Sequence, residues 1–162
     1  MRLWSSPRAP APRPSPLARA RRADWESLAE ELDEIAAAAA GLVGTPAALI
    51  TIVDERLWVA GRFNSRLHGL ERHECVCAHG MTEPDRVLCI PDLHADARFA
   101  RLPIAQGPEA VRFYVGAALV DVNGAALGML CAVDQRPRAA PPEPQCRALE
   151  RLARVAAVRL GA

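Results

Sequence analysis

An α+β fold is what this sequence predicts: a central antiparallel β-sheet flanked by N- and C-terminal helices on one side and by pocket-forming loops and short helices on the other. Three observations carry it. An amphipathic helix pattern lies near each end, two apolar hairpin patterns lie between them, and an irregular polar stretch separates the hairpins.

From residue 24 to 43, Leu28, Leu32, Ile35, Ala39 and Leu42 recur at three- and four-residue spacing, with Glu26, Glu30, Glu31 and Glu34 mostly opposite. Asp24 suits the N-cap, acids fill the first turns, and Gly41 and Gly44 mark the end. "TPAALITIVD" (45–54) and "RLWVAGRF" (56–63) then read as a hairpin turning at Asp54 and Glu55. Residues 64–87 read as irregular, with one short helix around Cys77 to Thr82; "VLCIPD" (87–92) reads as a short strand stopped by Pro91. A loop with one helical turn follows to Pro103.

In "VRFYVGAALVDVNGAALGMLCAVD", Asn123-Gly124 reads as a two-residue hairpin loop with positive φ at both positions. Counting back pairs Val120 with Leu127, Ala118 with Met129, Gly116 with Cys131 and Tyr114 with Val133 on one face. Val115, Ala117, Leu119 and Leu130 fall on the other, so both strands should be central and covered on both sides. Residues 143–160 give the second amphipathic helix, with Leu149, Leu152, Ala156 and Leu160 inward and Arg147, Arg151, Arg154 and Arg159 outward.

The 162 residues make one domain over 24–162 the expectation. The first 23 residues hold six arginines, five prolines and no acid, and read as a disordered tail. The body carries 14 arginines against 19 acids, which argues against a nucleic-acid-binding surface. No apolar run approaches the roughly 20 residues of a membrane span. Five cysteines, an odd number, in apolar contexts and without a secretory signal lead to the expectation of free thiols in a cytoplasmic protein.

The segments "GTPAALITIVDERLWVAG", "CVCAHGM", "VLCIPDLHADARFARLPI" and "VRFYVGAALVDVNGAALGMLCAVDQRPR", with the final Leu-rich helix, together resemble a GAF domain of the subtype found in bacterial sensor histidine kinases and diguanylate cyclases. The resemblance covers about residues 25–161. A family pattern Ser-aromatic-Cys-x-His is answered by Cys75, Val76, Cys77 and His79, matching at Cys77 and His79. A Phe-Tyr-Ala-Gly-Ala-Pro-Leu pattern is answered by residues 113–119, with Ala118 where the family has proline. The resemblance implies a small-molecule pocket, for which Cys77, His79, Arg98, Phe99, Tyr114, Gly116 and Cys131 are the candidates, with no cofactor specified. It also implies a stand-alone sensory or regulatory module without catalysis of its own. Such a module would bind an unidentified small molecule, a signalling protein partner, or a second copy through helices 24–43 and 143–160.

"HECVCAH" (73–79) keeps other chemistry in view. Extended, it would place Cys75, Cys77 and His79 on one face, where thiolate and imidazole could meet zinc; a second ligand pair, as structural sites favour, is missing, and His68 or His73 would have to complete the set. The resemblance also raises a thiol-based redox protein centred on Cys77, either a sensor or an enzyme like free methionine-(R)-sulfoxide reductase. The segment where those enzymes carry the catalytic cysteine reads "LHADARFARLPIAQGPEA" and has none. A bilin-attaching Cys-His dipeptide is absent. The plainer readings are a packed Cys77, an Arg98 ion pair with Asp92 or Asp96, and a His79 bonded to a carbonyl or to Asp92.

Overall fold

Seven consecutive buried residues make β1 (Ala47–Val53) the middle of the molecule. Both of its faces are covered, which is why its sequence is a continuous apolar run and not an alternation. The structure is a computed structural model that describes residues 24–161; the expected disordered tail, residues 1–23, lies outside the described residues. Around β1 stand β2 (Arg56–Phe63), β3 (Gly69–Glu71), β4 (Leu88–Ile90), β5 (Phe113–Val120) and β6 (Ala126–Asp134). They form one antiparallel sheet in the order β3-β2-β1-β6-β5-β4.

Helices α1 (Ala29–Val43) and α3 (Glu143–Arg159) cover one face. The other face is roofed by the four-residue helix α2 (Cys77–Gly80), by 3₁₀ turns at Arg72–Glu74, Leu93–Ala95 and Pro103–Ala105, and by the loops between them. The layered α+β arrangement therefore matches the sequence reading, and β3 is an addition to it. Gly69 permits that strand, because a Cβ there would stand 2.7 Å from the Leu57 carbonyl oxygen.

The helices lie closer to the sheet than a leucine stripe would allow. On α1 the buried residues are Leu32, Ala36, Ala39, Ala40 and Val43, whereas Ile35 and Leu42 are half-buried. Alanines hold the contact line, and Gly61 completes the approach: a Cβ there would meet the Leu32 carbonyl oxygen at 2.7 Å. Leu32 is therefore an internal packing residue and cannot also be part of an outer interface. Asp24 is not the cap of α1; residues 24–27 form a separate helical turn that breaks at Leu28. Gly44 ends α1 with φ 80°, and its N–H bonds the Ala40 carbonyl, while Gly41 stays within the helix. Arg159 of α3 pairs with Glu31 of α1 at 2.9 Å.

The β5–β6 turn departs from the two-residue loop expected. Positive φ occurs at Gly124 (83°) and not at Asn123. Asp121 N–H bonds the Ala125 carbonyl, so the loop holds three residues, and the Asp121 carboxylate accepts from the N–H groups of Asn123 and Ala125. The extra residue is absorbed by an irregularity between Leu119 and Val120, which pairs Val120 with Ala126 and not with Leu127. Beyond it the pairs Ala118–Met129, Gly116–Cys131 and Tyr114–Val133 stand as read from the sequence. Tyr114, Ala118, Met129, Cys131 and Val133 accordingly face the roof, and Val115, Ala117, Leu119 and Leu130 face the helices.

Candidate functional site

The roof side of β1, β5 and β6 is apolar apart from a few groups near its centre. Thr51 is the one hydroxyl residue in the β1 run; its Oγ1 donates to the Met129 carbonyl at 3.2 Å and accepts from the Met129 N–H at 3.3 Å. Cys131 of β6 lies opposite Gly116 of β5. With no side chain at Gly116, Tyr114 folds over it: a Cβ there would stand 2.8 Å from the Tyr114 hydroxyl and 3.1 Å from Met129 Cε. The space beside Gly116, a pocket candidate in the sequence, is filled by Tyr114 and Met129.

From the roof, α2 descends onto this spot. Gly80 brings its backbone against Met129, whose Cε would be 2.4 Å from an added Cβ. At the start of α2, Cys77 Sγ accepts a hydrogen bond from the Tyr114 hydroxyl at 3.3 Å. Cys131 and Thr51 line the same chamber beside Cys77. Three thiols (Cys75, Cys77 and Cys131), a phenol and a hydroxyl thus line a chamber whose other walls are residues such as Leu57, Leu70, Leu93, Val111 and Val133. Its free volume is about 20 Å³, room for roughly one water.

These contacts divide the thiols electrostatically. The neighbouring Cys131 thiol, with the Tyr114 and Thr51 hydroxyls, outweighs burial and holds the Cys77 thiol below its ordinary value. The same proximity to Cys77, reinforced by burial, pushes Cys131 well above it. Burial, then the neighbouring Cys77, also raises the Tyr114 phenol well above its usual range. Cys75 also lines the chamber, but its thiol donates to the Arg72 carbonyl at 3.1 Å, and burial pushes it up to about 11.

"HECVCAH" is therefore a divergent segment, with Cys75 toward the Arg72 carbonyl, Cys77 toward the sheet, and His79 edge-on to Phe99 at 4.8 Å between ring centroids. Among the described residues no three His, Cys, Asp or Glu side chains are gathered to hold a metal ion. Phe99, wholly buried, also carries the Arg98 guanidinium on its ring at 4.7 Å. His79 and Arg98 line a separate open cleft of about 310 Å³. Of the seven pocket candidates, Cys77, Tyr114 and Cys131 line the chamber, Gly116 supports it from below, and His79 and Arg98 lie outside with Phe99 against them.

Arg98 clasps Asp96 through two hydrogen bonds, at 3.0 and 2.7 Å, and not Asp92. Nor does Asp92 meet His79. Its two oxygens accept from Nε and NH2 of Arg112, both at 2.7 Å, and one also accepts from the His94 N–H at 3.0 Å. Arg112 was missed by the sequence reading, as was Thr51. The Asp92–Arg112 pair, with the Leu93 N–H on the Arg112 carbonyl at 2.6 Å, seats the loop that places Leu93 in the chamber wall. His94 Nε2 then donates to the Ala105 carbonyl at 2.6 Å, joining the two 3₁₀ turns of that loop.

Those bonds from Arg112, chiefly, hold the Asp92 carboxyl at about 2. A carboxyl lowered on folding contributes stability above its unfolded value, about 4, and loses it as pH falls through the folded one. Asp92→Asn is expected to remove this part of the acid-side loss, between about pH 4 and pH 2, and to loosen the Leu93 loop. An NMR titration of Asp92 together with acid-unfolding curves of both proteins checks it; an Asp92 that titrates near 4 contradicts it.

Comparison with known proteins follows this architecture. Residues 27–160 match the family described as GAF domain. A cyclic di-GMP phosphodiesterase of Pseudomonas aeruginosa is 35% identical over 136 residues, covering 83% of this chain and 23% of that protein. The chain thus spans about a quarter of that relative's length. Among solved structures, the GAF domain of an Acinetobacter phosphoenolpyruvate-protein phosphotransferase superimposes with a TM-score of 0.68 at 15% identity, covering 91% of this chain and 94% of that one. A type II free methionine-R-sulfoxide reductase from Thermoplasma acidophilum does so with a TM-score of 0.67 at 8% identity, covering 85% and 94%. These names correct one expectation. The reading of a chain without catalysis is overturned, because the curated relative and the Thermoplasma protein are both named as enzymes, the first matched over part of its length and the second in fold. No helix among the described residues is long and apolar enough to cross a membrane.

Proposed function

We propose that this chain, which belongs to the GAF domain family, is a sensory and regulatory signalling module whose chamber admits one small molecule and whose helices α1 and α3 report its occupancy. One observation carries the reading: Thr51, Cys77, Tyr114 and Cys131 converge in an otherwise apolar chamber, the composition of a small-molecule site. At about 20 Å³ the chamber is too small for a metabolite, so this reading requires an open form in which the roof has lifted. Its roof consists of short helical turns and loops, elements that open at lower cost than a sheet. A ligand that displaces Tyr114 from Gly116 would favour an open form, and the strain would pass through β5 and β6 to α1 and α3 on the opposite face.

The output we assign is cyclic di-GMP turnover, a narrower subtype than sensor kinases and cyclases together, supported by the match to part of a phosphodiesterase. Val155 and Val158 of α3 are exposed, and we assign to that outer face the contact with a second copy or a signalling partner in a reducing cytosol. The test is a chimera in which this chain replaces the matched segment of the Pseudomonas phosphodiesterase. Cyclic di-GMP hydrolysis should persist and should change severalfold when Tyr114→Ala is introduced, with the fold checked by thermal melting. Identical hydrolysis with and without the substitution would count against the chamber as the controlling site.

A further inference from the structure

Five thiols are present and all are free. Two of them, Cys77 and Cys131, are 5% and 1% exposed and line one chamber of about 20 Å³. They come from elements far apart in sequence, the roof turn α2 and the central strand β6. The chamber beside them is large enough for about one water-sized molecule and lined almost wholly by apolar side chains.

We propose that Cys77 and Cys131 form a redox site, a buried dithiol that hydrogen peroxide converts to a disulfide tying α2 to β6. The chemistry is separate from the occupancy of the chamber by any other ligand, and its test separates the two.

The geometry distributes the roles. Cys77 accepts a hydrogen bond from the Tyr114 hydroxyl and has the Cys131 thiol and Thr51 beside it in the chamber, so its sulfur is the one held toward thiolate and is the nucleophile. Cys131, pushed the other way, is the resolving thiol. The Cys77 sulfur attacks one peroxide oxygen; an S–O bond forms, the O–O bond breaks, and the departing hydroxide takes the proton shed by Cys77 to leave as water. The Cys131 sulfur then attacks the sulfenic sulfur. An S–S bond forms, the S–O bond breaks, and the hydroxyl leaves with the Cys131 proton as a second water. The thiols lose two electrons and two protons, and the peroxide gains them.

Hydrogen peroxide is only one heavy atom larger than the water this void holds and enters with a small outward shift of its walls, whereas bulkier hydroperoxides require the roof to lift. Neighbouring cysteines supply internal controls. Cys75 lies two residues from Cys77, but its thiol is engaged with the Arg72 carbonyl. Cys89 of β4 and Cys146 of α3 are half-buried and near enough for Cys146 to influence Cys89, yet burial raises both thiols, and among the described residues no hydroxyl is bonded to either.

The test treats the reduced full chain with hydrogen peroxide, blocks remaining thiols with N-ethylmaleimide, and maps disulfides by peptide mass spectrometry. The expected first product is a Cys77–Cys131 link, with a mass lower by two hydrogens and a raised Tm. A Cys75→Ala background removes ambiguity, because Cys75 and Cys77 share one tryptic peptide. Cys131→Ser should stop the reaction at a Cys77 sulfenic acid captured by dimedone, and Tyr114→Phe should slow it by roughly tenfold. If Cys131→Ser fails to fold, the wild-type map still decides. A Cys89–Cys146 or Cys75–Cys77 link formed first, or a Cys77 that oxidises only in denaturant, overturns the proposal.

Discussion

Gly128→Ala is expected to destabilise the protein by about 3 kcal/mol, at the upper end for added volume in a packed core. A Cβ at Gly128 would stand 1.8 Å from the Thr51 carbonyl oxygen and 2.9 Å from Ile52 Cα. Both obstacles are backbone atoms of the central strand β1, and neither can rotate away. Strands β1 and β6 must therefore part, and the two hydrogen bonds between Thr51 and the Met129 backbone go with them. The effect reaches the site, since Thr51 is one of the polar groups around Cys77. Gly41→Ala is the control: nothing lies within 4 Å of the added atom and the position is inside α1, so a gain of about 0.5–1 kcal/mol is expected. Urea unfolding measures both, and a Gly128→Ala variant within about 0.5 kcal/mol of wild type would refute the packing described.

Tyr114→Ala is expected to cost about 3–5 kcal/mol, as for other fully buried aromatics, and to open the chamber. Tyr114 is 3% exposed, covers Gly116 and donates to Cys77, so its removal takes away packing and one hydrogen bond together. Tyr114→Phe separates the two, since it keeps the ring and should lose about 1 kcal/mol. The cavity left by Tyr114→Ala is shaped like a phenol ring. Phenol in the buffer should raise the melting temperature of the variant and leave wild type unchanged. No rescue by phenol, together with a loss under about 1 kcal/mol, would mean that Tyr114 does not fill the chamber.

Where pattern and packing agree, the sequence was legible. Hairpin alternation placed Tyr114, Ala118, Met129 and Cys131 on one face, and the structure puts them on the roof side. The turn was misread because Asn-Gly favours one loop type, while the Asp121 carboxylate stabilises another by accepting two N–H groups. Register survived because an irregularity cancels the added residue, which no local pattern reveals. The site was half legible. Cys77 and Cys131 stood among the candidates, but nothing in their spacing showed that they would meet, because Gly116, Tyr114 and the α2 turn must first assemble. Thr51 did leave a signal, being the sole polar residue of a seven-residue buried strand. His79 and Arg98 shared a motif neighbourhood with the chamber residues, yet Phe99 draws both to itself outside it.

Whether the chamber can open while the sheet stays folded is the claim on which the sensory reading turns. Native-state hydrogen exchange, resolved by residue, tests it without knowledge of the ligand. The roof amides of Met81, Ala95, Leu102 and Ala105, each hydrogen-bonded within a short turn, should exchange about a hundredfold or more faster than the β5 and β6 amides. Roof amides protected to the same level as β5 and β6 would mean that the chamber opens only when the whole protein unfolds, and would contradict the account.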